Sequence, residues 1–371
     1  MDSKKSLYLP DYIKAISPYQ AGKPIEELAR EFDIDIKNIV KLASNENPLG
    51  VSRRVTNVIE KYSSGIFRYP DSNGFNLKDI LAKKYNVPFE SITLGNGSND
   101  ILEMISMTFL DRNSSAIYSE YSFAVYKLAT QARGARHIIV PSVNYGNNLD
   151  AMFNSIEPDT RLIFIANPNN PTGTFVDKEK IINFLDNVWE KYGKSVLVIL
   201  DEAYSEYLDD DLYFDSFSLI KHYPNLIVCR TFSKAYGLAG LRVGFSVADK
   251  DITDFLNRIR QPFNVNSLAQ IAAIASLEDD EFLKKSRLLN KVEKKKIYKA
   301  FEILGLEYIK SYGNFVLVRV GDARSINYSL LRLGVIVRPV DSYDLPEWLR
   351  VTIGLPEDND FFIKALSEIL K

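Results

Sequence analysis

The stretch DKEKIINFLDNVWEKYGKSVLVILDEAY, residues 177–204, changes its hydrophobic period partway along. Up to Gly193, the residues Ile181, Ile182, Leu185, Val188 and Trp189 recur at the spacing of one helix face, with Asp177 a cap candidate and Gly193 a stop. From Val196 to Leu200 every residue is aliphatic, the pattern of a strand covered on both faces. A helix leading into such a strand is a crossover. The stretch therefore decides for an α/β layer fold, with a mostly parallel central sheet and helices on both faces. The aliphatic run ends abruptly at Asp201, and a carboxylate there is costly to bury unless a cation or a strong donor meets it. A helix cap is the simpler reading of Asp201 taken alone.

The same apolar pattern recurs in SAIYS (115–119), RLIFIA (161–166) and NLIVCR (225–230). In open α/β sheets, ligands bind beyond the carboxyl ends of the strands, so the residues after each run carry the chemistry. RLIFIA is followed by NPNNPTG, SVLVIL by Asp201-Glu-Ala-Tyr204, and NLIVCR by Thr231-Phe-Ser233-Lys234. The strand-like SITL (91–94) leads through Gly95-Asn-Gly97 into Ser98-Asn99 and an apolar helix, whose first N–H groups and positive dipole end suit an anion. Lys234 stands among small and apolar residues in TFSKAYGLAGLRVG (231–244), with Arg242 behind it. It is either a loop lysine at the surface or one whose ammonium is disfavoured, which is how Schiff-base lysines become nucleophilic. Taken together, a buried acid, an amine, an anion cradle and an extra cation suit pyridoxal 5'-phosphate. Its ring nitrogen needs an anion (Asp201), its aldehyde a lysine (Lys234), and its phosphate N–H groups, hydroxyls and a cation (Ser98, Asn99, Ser233, Arg242).

The bulk properties narrow the partners. The 371 residues exceed the roughly 250–300 at which single cores stop growing. The expected division is an N-terminal arm (1–45) joining a small domain, a large cofactor-binding domain (46–262), and a small α+β domain (263–371) containing the strand-like NFVLVRV and WLRVTIG. With 46 basic and 48 acidic side chains the formal charge is −2, so no basic field exists to hold nucleic acid or an anionic membrane. One cysteine, Cys229, excludes an internal disulfide, and with only His137 and His222 no Cys/His metal site is expected. The start MDSKKSLYLP has no apolar stretch after it, which argues against export and for a cytoplasmic protein. The charge runs Lys294–Lys296 and Asp209–Asp211 read as a solvated helix face and a loop.

The motifs resemble those of the fold-type I aminotransferases, and the match runs nearly end to end with the histidinol-phosphate aminotransferase family. It is carried by SPYQAGKPIEELARE, KLASNENPLG, RYPDSNGFNLK, TLGNGSNDILE, FIANPNNPTGT, LDEAYSEY, TFSKAYGLAGLRVG, RQPFNVNSLA and LRVTIG, in that order. The resemblance implies that Lys234 bonds the cofactor aldehyde, Asp201 pairs with the pyridine nitrogen, and Asn170 and Tyr204 contact the phenolic oxygen. It implies that Tyr121, in EYSFAVY, covers the ring face. Tyr69, in RYP, is lent to the neighbouring subunit's cofactor phosphate, making a homodimer the working unit. Arg350 is similar to the carboxylate-binding arginine of aminotransferases, and an arginine inside an apolar strand independently demands an anionic partner. Tyr19, Asn45 and Arg338 resemble positions that recognise the second substrate, including its phosphate.

The implied reaction moves an amino group from glutamate to imidazole acetol phosphate by a two-stroke, ping-pong sequence, with Lys234 as base at the substrate Cα–H. The cofactor motifs leave open an aminotransferase of another small phosphorylated ketone, such as dihydroxyacetone phosphate, and a decarboxylase of a phosphorylated amino acid. A cofactor-sensing regulator needs a DNA-binding module, and no basic recognition helix precedes the first core motif. One departure stands out: family members commonly have a histidine and an acidic residue where this chain has Asn147-Asn148.

Overall fold

The structure, a computed structural model, describes residue 7, residues 9–18 and residues 22–371. After a short strand β1 (Val40–Lys41), seven strands form the large sheet. They are β2 (Ile92–Gly95), β3 (Ser115–Ser119), β4 (Arg136–Val140), β5 (Thr160–Ala166), β6 (Leu197–Asp201), β7 (Leu226–Thr231) and β8 (Gly244–Ala248). Their spatial order is β2-β8-β7-β6-β5-β3-β4. Neighbours are parallel except β8, which runs antiparallel to both β2 and β7. Every residue of β3, β6 and β7 is buried, as mainly apolar strands covered on both faces require.

The crossover between β5 and β6 is the helix Lys178–Tyr192, which buries Ile181, Phe184, Leu185 and Val188. Burying each such side chain contributes about 1.5–3 kcal/mol, so this one stripe fastens the helix to the sheet. Gly193 ends it with a φ of 54°, a conformation open to glycine. Asp177 occupies the N-cap position but makes no side-chain capping bond, so the start of the helix owes more to packing than to the cap read from sequence.

The smaller sheet has the order β12-β13-β10-β9, from β9 (Tyr308–Ile309), β10 (Phe315–Arg319), β12 (Arg338–Val340) and β13 (Leu345–Thr352), while β11 (Val335–Ile336) pairs in parallel with β1. Helices Asp280–Ile303 and Pro356–Ile369 cover this sheet by packing Ile297, Phe301, Phe362 and Leu366 onto Val316, Val318, Leu349 and Val351. The segment after β1 is stitched to the small sheet: Leu42 N donates to Ile336 O at 2.7 Å and Thr352 N to Leu42 O at 2.8 Å. The helix Ser267–Leu277 sends Ala269, Ala272 and Ala273 into the core of the large sheet, although it follows residue 262.

The charge runs divide. Asp209 and Asp210 lie in the open and meet Lys291 and Arg287, each at 2.6 Å. Lys294 differs from the solvated helix face read from sequence. Its amine donates to Gly313 O at 3.0 Å, and burial pushes its pKa down to about 8. Among the described residues no helix is long and apolar enough to cross a membrane.

Candidate active site

Strands β5 and β6 end level, because Ala166 is paired with Asp201, and β7 runs on past the Cys229 partner of Asp201 to Thr231. Their carboxyl ends open into a cavity of about 200 Å³, which Ala166, Asp201 and Thr231 help to line. This is the crevice that parallel-sheet topology reserves for ligands.

Asp201 faces the cavity and is 4% exposed. Its Oδ2 accepts from the Tyr126 hydroxyl at 2.8 Å, while Oδ1 has no hydrogen-bond partner among the described residues. Burial raises its pKa to about 6, against the opposing pull of the Tyr126 hydrogen bond. The neighbouring Glu202 points the other way, as strand alternation dictates, and is answered by Arg230 at 2.8 and 2.9 Å. One acid of the pair is thus neutralised and the other is left wanting a cation. Tyr126 stacks on Phe164 at 4.8 Å and meets Phe123 edge-on at 5.9 Å. It escaped the sequence reading; the signal was the three-residue spacing that puts Phe123 and Tyr126 on one side of the helix start.

Lys234 lies one strand over, in the turn after β7, where its Nζ donates to Ser44 O at 3.1 Å. Burial first, and the Arg350 guanidinium second, lower its pKa to about 8. Tyr204 sits below it, 3% exposed, accepting from Asn45 Nδ2 at 2.9 Å. Burial pushes the Tyr204 phenol up to about 12, so it remains a neutral donor.

The anion cradle is built where β2 passes into the helix Ser98–Phe109, whose N-cap is Gly97 with φ 86°. A Cβ on Gly97 would be strained at this φ and would come within 2.5 Å of Arg242 Nη2, so glycine lets the guanidinium sit beside the helix start. Arg242 Nη1 donates to Ser233 Oγ at 3.3 Å, and Ser233 Oγ also accepts from Thr231 Oγ1 at 3.0 Å. Helix N–H groups, two hydroxyls and a guanidinium therefore converge with Ser98 and Asn99 at one end of the cavity.

The small sheet supplies the opposite wall. Arg338 and Arg350 are direct partners across the antiparallel β12–β13 pair, and both are 7% exposed. Like charges placed opposite one another are unfavourable unless anions or acceptors intervene. Arg350 donates to Asn170 Oδ1 at 2.6 Å and to Ala43 O at 2.8 Å, which ties the small sheet to the loop after β5. Asn45, with φ 53°, is gripped by Thr352 at 2.9 and 3.1 Å and by Asn314 at 3.0 Å.

Not every expected position lies in this cavity wall. Tyr121 is not in the cavity wall. Its ring packs beside Tyr145 at 5.8 Å and its carbonyl accepts from Asn169, while Phe123 faces the cavity instead. Phe123 stands at the N-cap of the helix Ala124–Ala132, on the side shared with Tyr126. Tyr69 is 82% exposed and stacks on Phe263 at 4.7 Å, outside this chain's own cavity. Tyr19 lies outside the described residues. The Asn147-Asn148 departure also falls outside the cavity wall. Asn147 Nδ2 donates to Ala166 O at 2.9 Å, and Asn148 caps the helix Leu149–Asn154 by accepting from Ala151 N at 3.1 Å. An imidazole N–H and an aspartate can fill the same two offices, which accounts for the exchange.

The residues present fit pyridoxal 5'-phosphate. The partnerless Asp201 oxygen answers a protonated ring nitrogen, and the glycine-opened cradle answers a phosphate. The sequence matches the family "Aminotransferase class I and II" over residues 37–366. It is 57% identical over 366 residues to histidinol-phosphate aminotransferase 1 of Cupriavidus pinatubonensis, covering 98% of this chain and 96% of that protein. It is 54% identical over 365 residues to histidinol-phosphate aminotransferase 2 of Ralstonia nicotianae, covering 97% and 96%. The fold superposes with a TM-score of 0.90 on the crystal structure of histidinol-phosphate aminotransferase from Sinorhizobium meliloti in complex with pyridoxal-5'-phosphate, at 26% identity and 99% coverage of both chains.

Proposed function

The chain belongs to the class I and II aminotransferases and, within them, to the histidinol-phosphate aminotransferases, and from that premise we propose how its residues divide the work of transamination. The reaction moves an amino group between glutamate and the phosphorylated ketone that corresponds to histidinol phosphate, a step of histidine biosynthesis. The observation that carries the reading is a buried acid with one oxygen lacking a partner and a buried amine of lowered pKa, set on neighbouring strand ends beside an anion cradle.

Bound in the cavity, pyridoxal 5'-phosphate supplies an electron sink that stabilises negative charge at the substrate Cα. Asp201 holds the ring nitrogen, and Tyr126 fixes the carboxylate that does so. Ser98, Asn99, Ser233 and Arg242 hold the phosphate. Asn170 and Tyr204 meet the phenolic oxygen, and Phe123 covers the ring face in place of Tyr121. Lys234 Nζ would hold the cofactor at its aldehyde carbon and, as a free amine, would take the proton from the substrate Cα–H. A pKa near 8 leaves a useful fraction of the amine neutral at physiological pH, as a base requires. Arg350 grips the α-carboxylate, while Arg338, Asn45 and Tyr19 recognise the rest of the second substrate. The two arginines, paired across two strands, let one pocket accept a second carboxylate or a phosphate in turn.

The working unit is a homodimer in the cytoplasm, with Tyr69 reaching the partner's cofactor phosphate. Supporting this, Tyr69 stacks on Phe263, and the nearby-in-sequence Ile66 and Phe67 are also exposed, at 64% and 77% in the single chain. The arm to residue 45 travels with the small domain, and the large domain carries the cofactor. A coupled assay with glutamate and a panel of phosphorylated ketones tests the assignment. Turnover of imidazole acetol phosphate well above that of dihydroxyacetone phosphate is expected. An inert imidazole compound, or carbon dioxide release without a keto-acid requirement, would overturn it.

A further inference from the structure

Lys234 does not hold its place alone. It opens a tight turn in which Gly237 N donates to Lys234 O at 2.9 Å. That turn is pressed against the loop that follows β1. At Gly237, φ is 73° and an added Cβ would lie 1.9 Å from Gly50 O, so the two backbones touch with no room for a side chain. Two polar ties flank this contact: Lys234 Nζ reaches Ser44 O at 3.1 Å, and Asn47 Nδ2 donates to Ala235 O at 2.8 Å.

Asn47 is 8% exposed, and its carboxamide is fully employed. The same Nδ2 bonds Ser286 Oγ at 2.9 Å, and Oδ1 accepts from Leu49 N at 3.0 Å. The loop's other end belongs to the small sheet, through the bonds of Leu42 with β11 and β13 and those of Asn45 with Thr352 and Asn314. The lysine turn on the large sheet is therefore held by a loop whose anchor is the opposite wall of the cavity.

We propose that Asn47 is a positioning residue for Lys234, fixing the Lys234–Gly237 turn through the Ala235 carbonyl and so aligning the amine with the cofactor and the substrate Cα. It touches neither cofactor nor substrate and acts only through the turn. The inference rests on the reading of Lys234 given above. Without the carboxamide, the Ala235 carbonyl loses its bond in a dry site, the turn shifts, and the amine's orientation becomes that of a free side chain.

The test compares holoenzymes of the native chain, Asn47→Ala, Asn47→Leu and Ser286→Ala. The leucine variant keeps the side-chain volume should alanine fail to fold, and Ser286→Ala removes the other partner of Asn47 without freeing Ala235. Visible absorbance of the bound cofactor is titrated against pH, cofactor release is measured by dilution, and kcat and KM for glutamate are separated. Either Asn47 variant should move the titration midpoint by about half a unit or more, weaken cofactor retention about tenfold and lower kcat about tenfold, with KM changed less. Ser286→Ala should stay within about twofold of the native enzyme. An Asn47 variant that melts earlier but keeps the native midpoint and retention would overturn the proposal and reduce Asn47 to a structural role. Borohydride reduction of the native holoenzyme, followed by peptide mass mapping, keeps the two failures apart. A native protein with no cofactor on Lys234 refutes the underlying reading, whereas unchanged Asn47 variants refute the clamp alone.

Discussion

The two walls of the cavity are built in opposite ways. On the large-sheet side, Asp201 ends a buried strand, and Ser233, Lys234 and the Ser98 helix start follow closely on others, so each is placed by a short, rigid stretch of backbone. On the small-sheet side, Arg338 and Arg350 face one another across antiparallel strands, and Asn45 arrives on a loop tied to both sheets. The first wall is fixed by topology and suits a resident group. The second is assembled from distant segments and held by hydrogen bonds that a ligand can replace, as Arg350 with Asn170 and Ala43 illustrates. On the proposed reading, rigid support serves the cofactor, and exchangeable bonds serve the two alternating substrates.

The most severe break in this contrast is Lys234→Ala. Steady-state assays should show kcat reduced by about 10³-fold or more, since both the base and the attachment are lost. Near-native turnover would mean that the rigid wall is not where the proton moves.

On the other wall, Arg350→Ala should cost about 3 kcal/mol in kcat/KM with glutamate, because a carboxylate loses its guanidinium partner. Arg338→Ala should instead fall more heavily on the phosphorylated substrate. Equal losses for both substrates in both variants would erase the division of labour between the paired arginines.

The apo protein offers a test through pH. Asp201 has a folded pKa of about 6 against an ordinary value of 3.8, so the folded state binds the proton more tightly. Its contribution to stability is fully present below about pH 4 and is lost as pH rises through about 6, a swing of up to about 3 kcal/mol. Glu206, whose pKa burial raises to about 7, slopes the same way, so the comparison must be between apo and holo forms and with Asp201→Asn. Urea denaturation should show the slope shrinking when the cofactor is bound and when Asp201 is replaced. Parallel apo and holo curves would show that Asp201 meets no cation.

The smallest effect is expected at Asn148→Asp. The substituted carboxylate can cap the helix Leu149–Asn154 in the same way, so stability should change by less than about 0.5 kcal/mol and substrate preference not at all. A change in substrate preference would show that the loop beyond β4 reaches the chemistry after all.

The sequence was most legible where function follows a strand. The aliphatic run before Asp201 and the glycines before Ser98 announced their elements and where polar groups gather, because burial on two faces leaves only the strand end for polar work. It was less legible where the partner is backbone or distant in the chain. Ser44 O, Ala43 O and Ala235 O carry no side-chain signal, and Tyr126 reaches Asp201 only because the sheet brings residues 126 and 201 together. The exchange of Tyr121 for Phe123 has the same origin. Two aromatics two residues apart cannot be told apart until the helix start fixes which one turns inward. Lys294 looked solvated for want of knowing that the turn at Gly313 packs over it.

The most direct test is the site of covalent attachment. The holoenzyme, reduced with borohydride and digested, should carry the pyridoxyl mass on the peptide containing Lys234 and on no other lysine, with the label absent from Lys234→Ala. A label on Lys294 or another amine, or a native protein that takes up no label while it transaminates, would contradict the account.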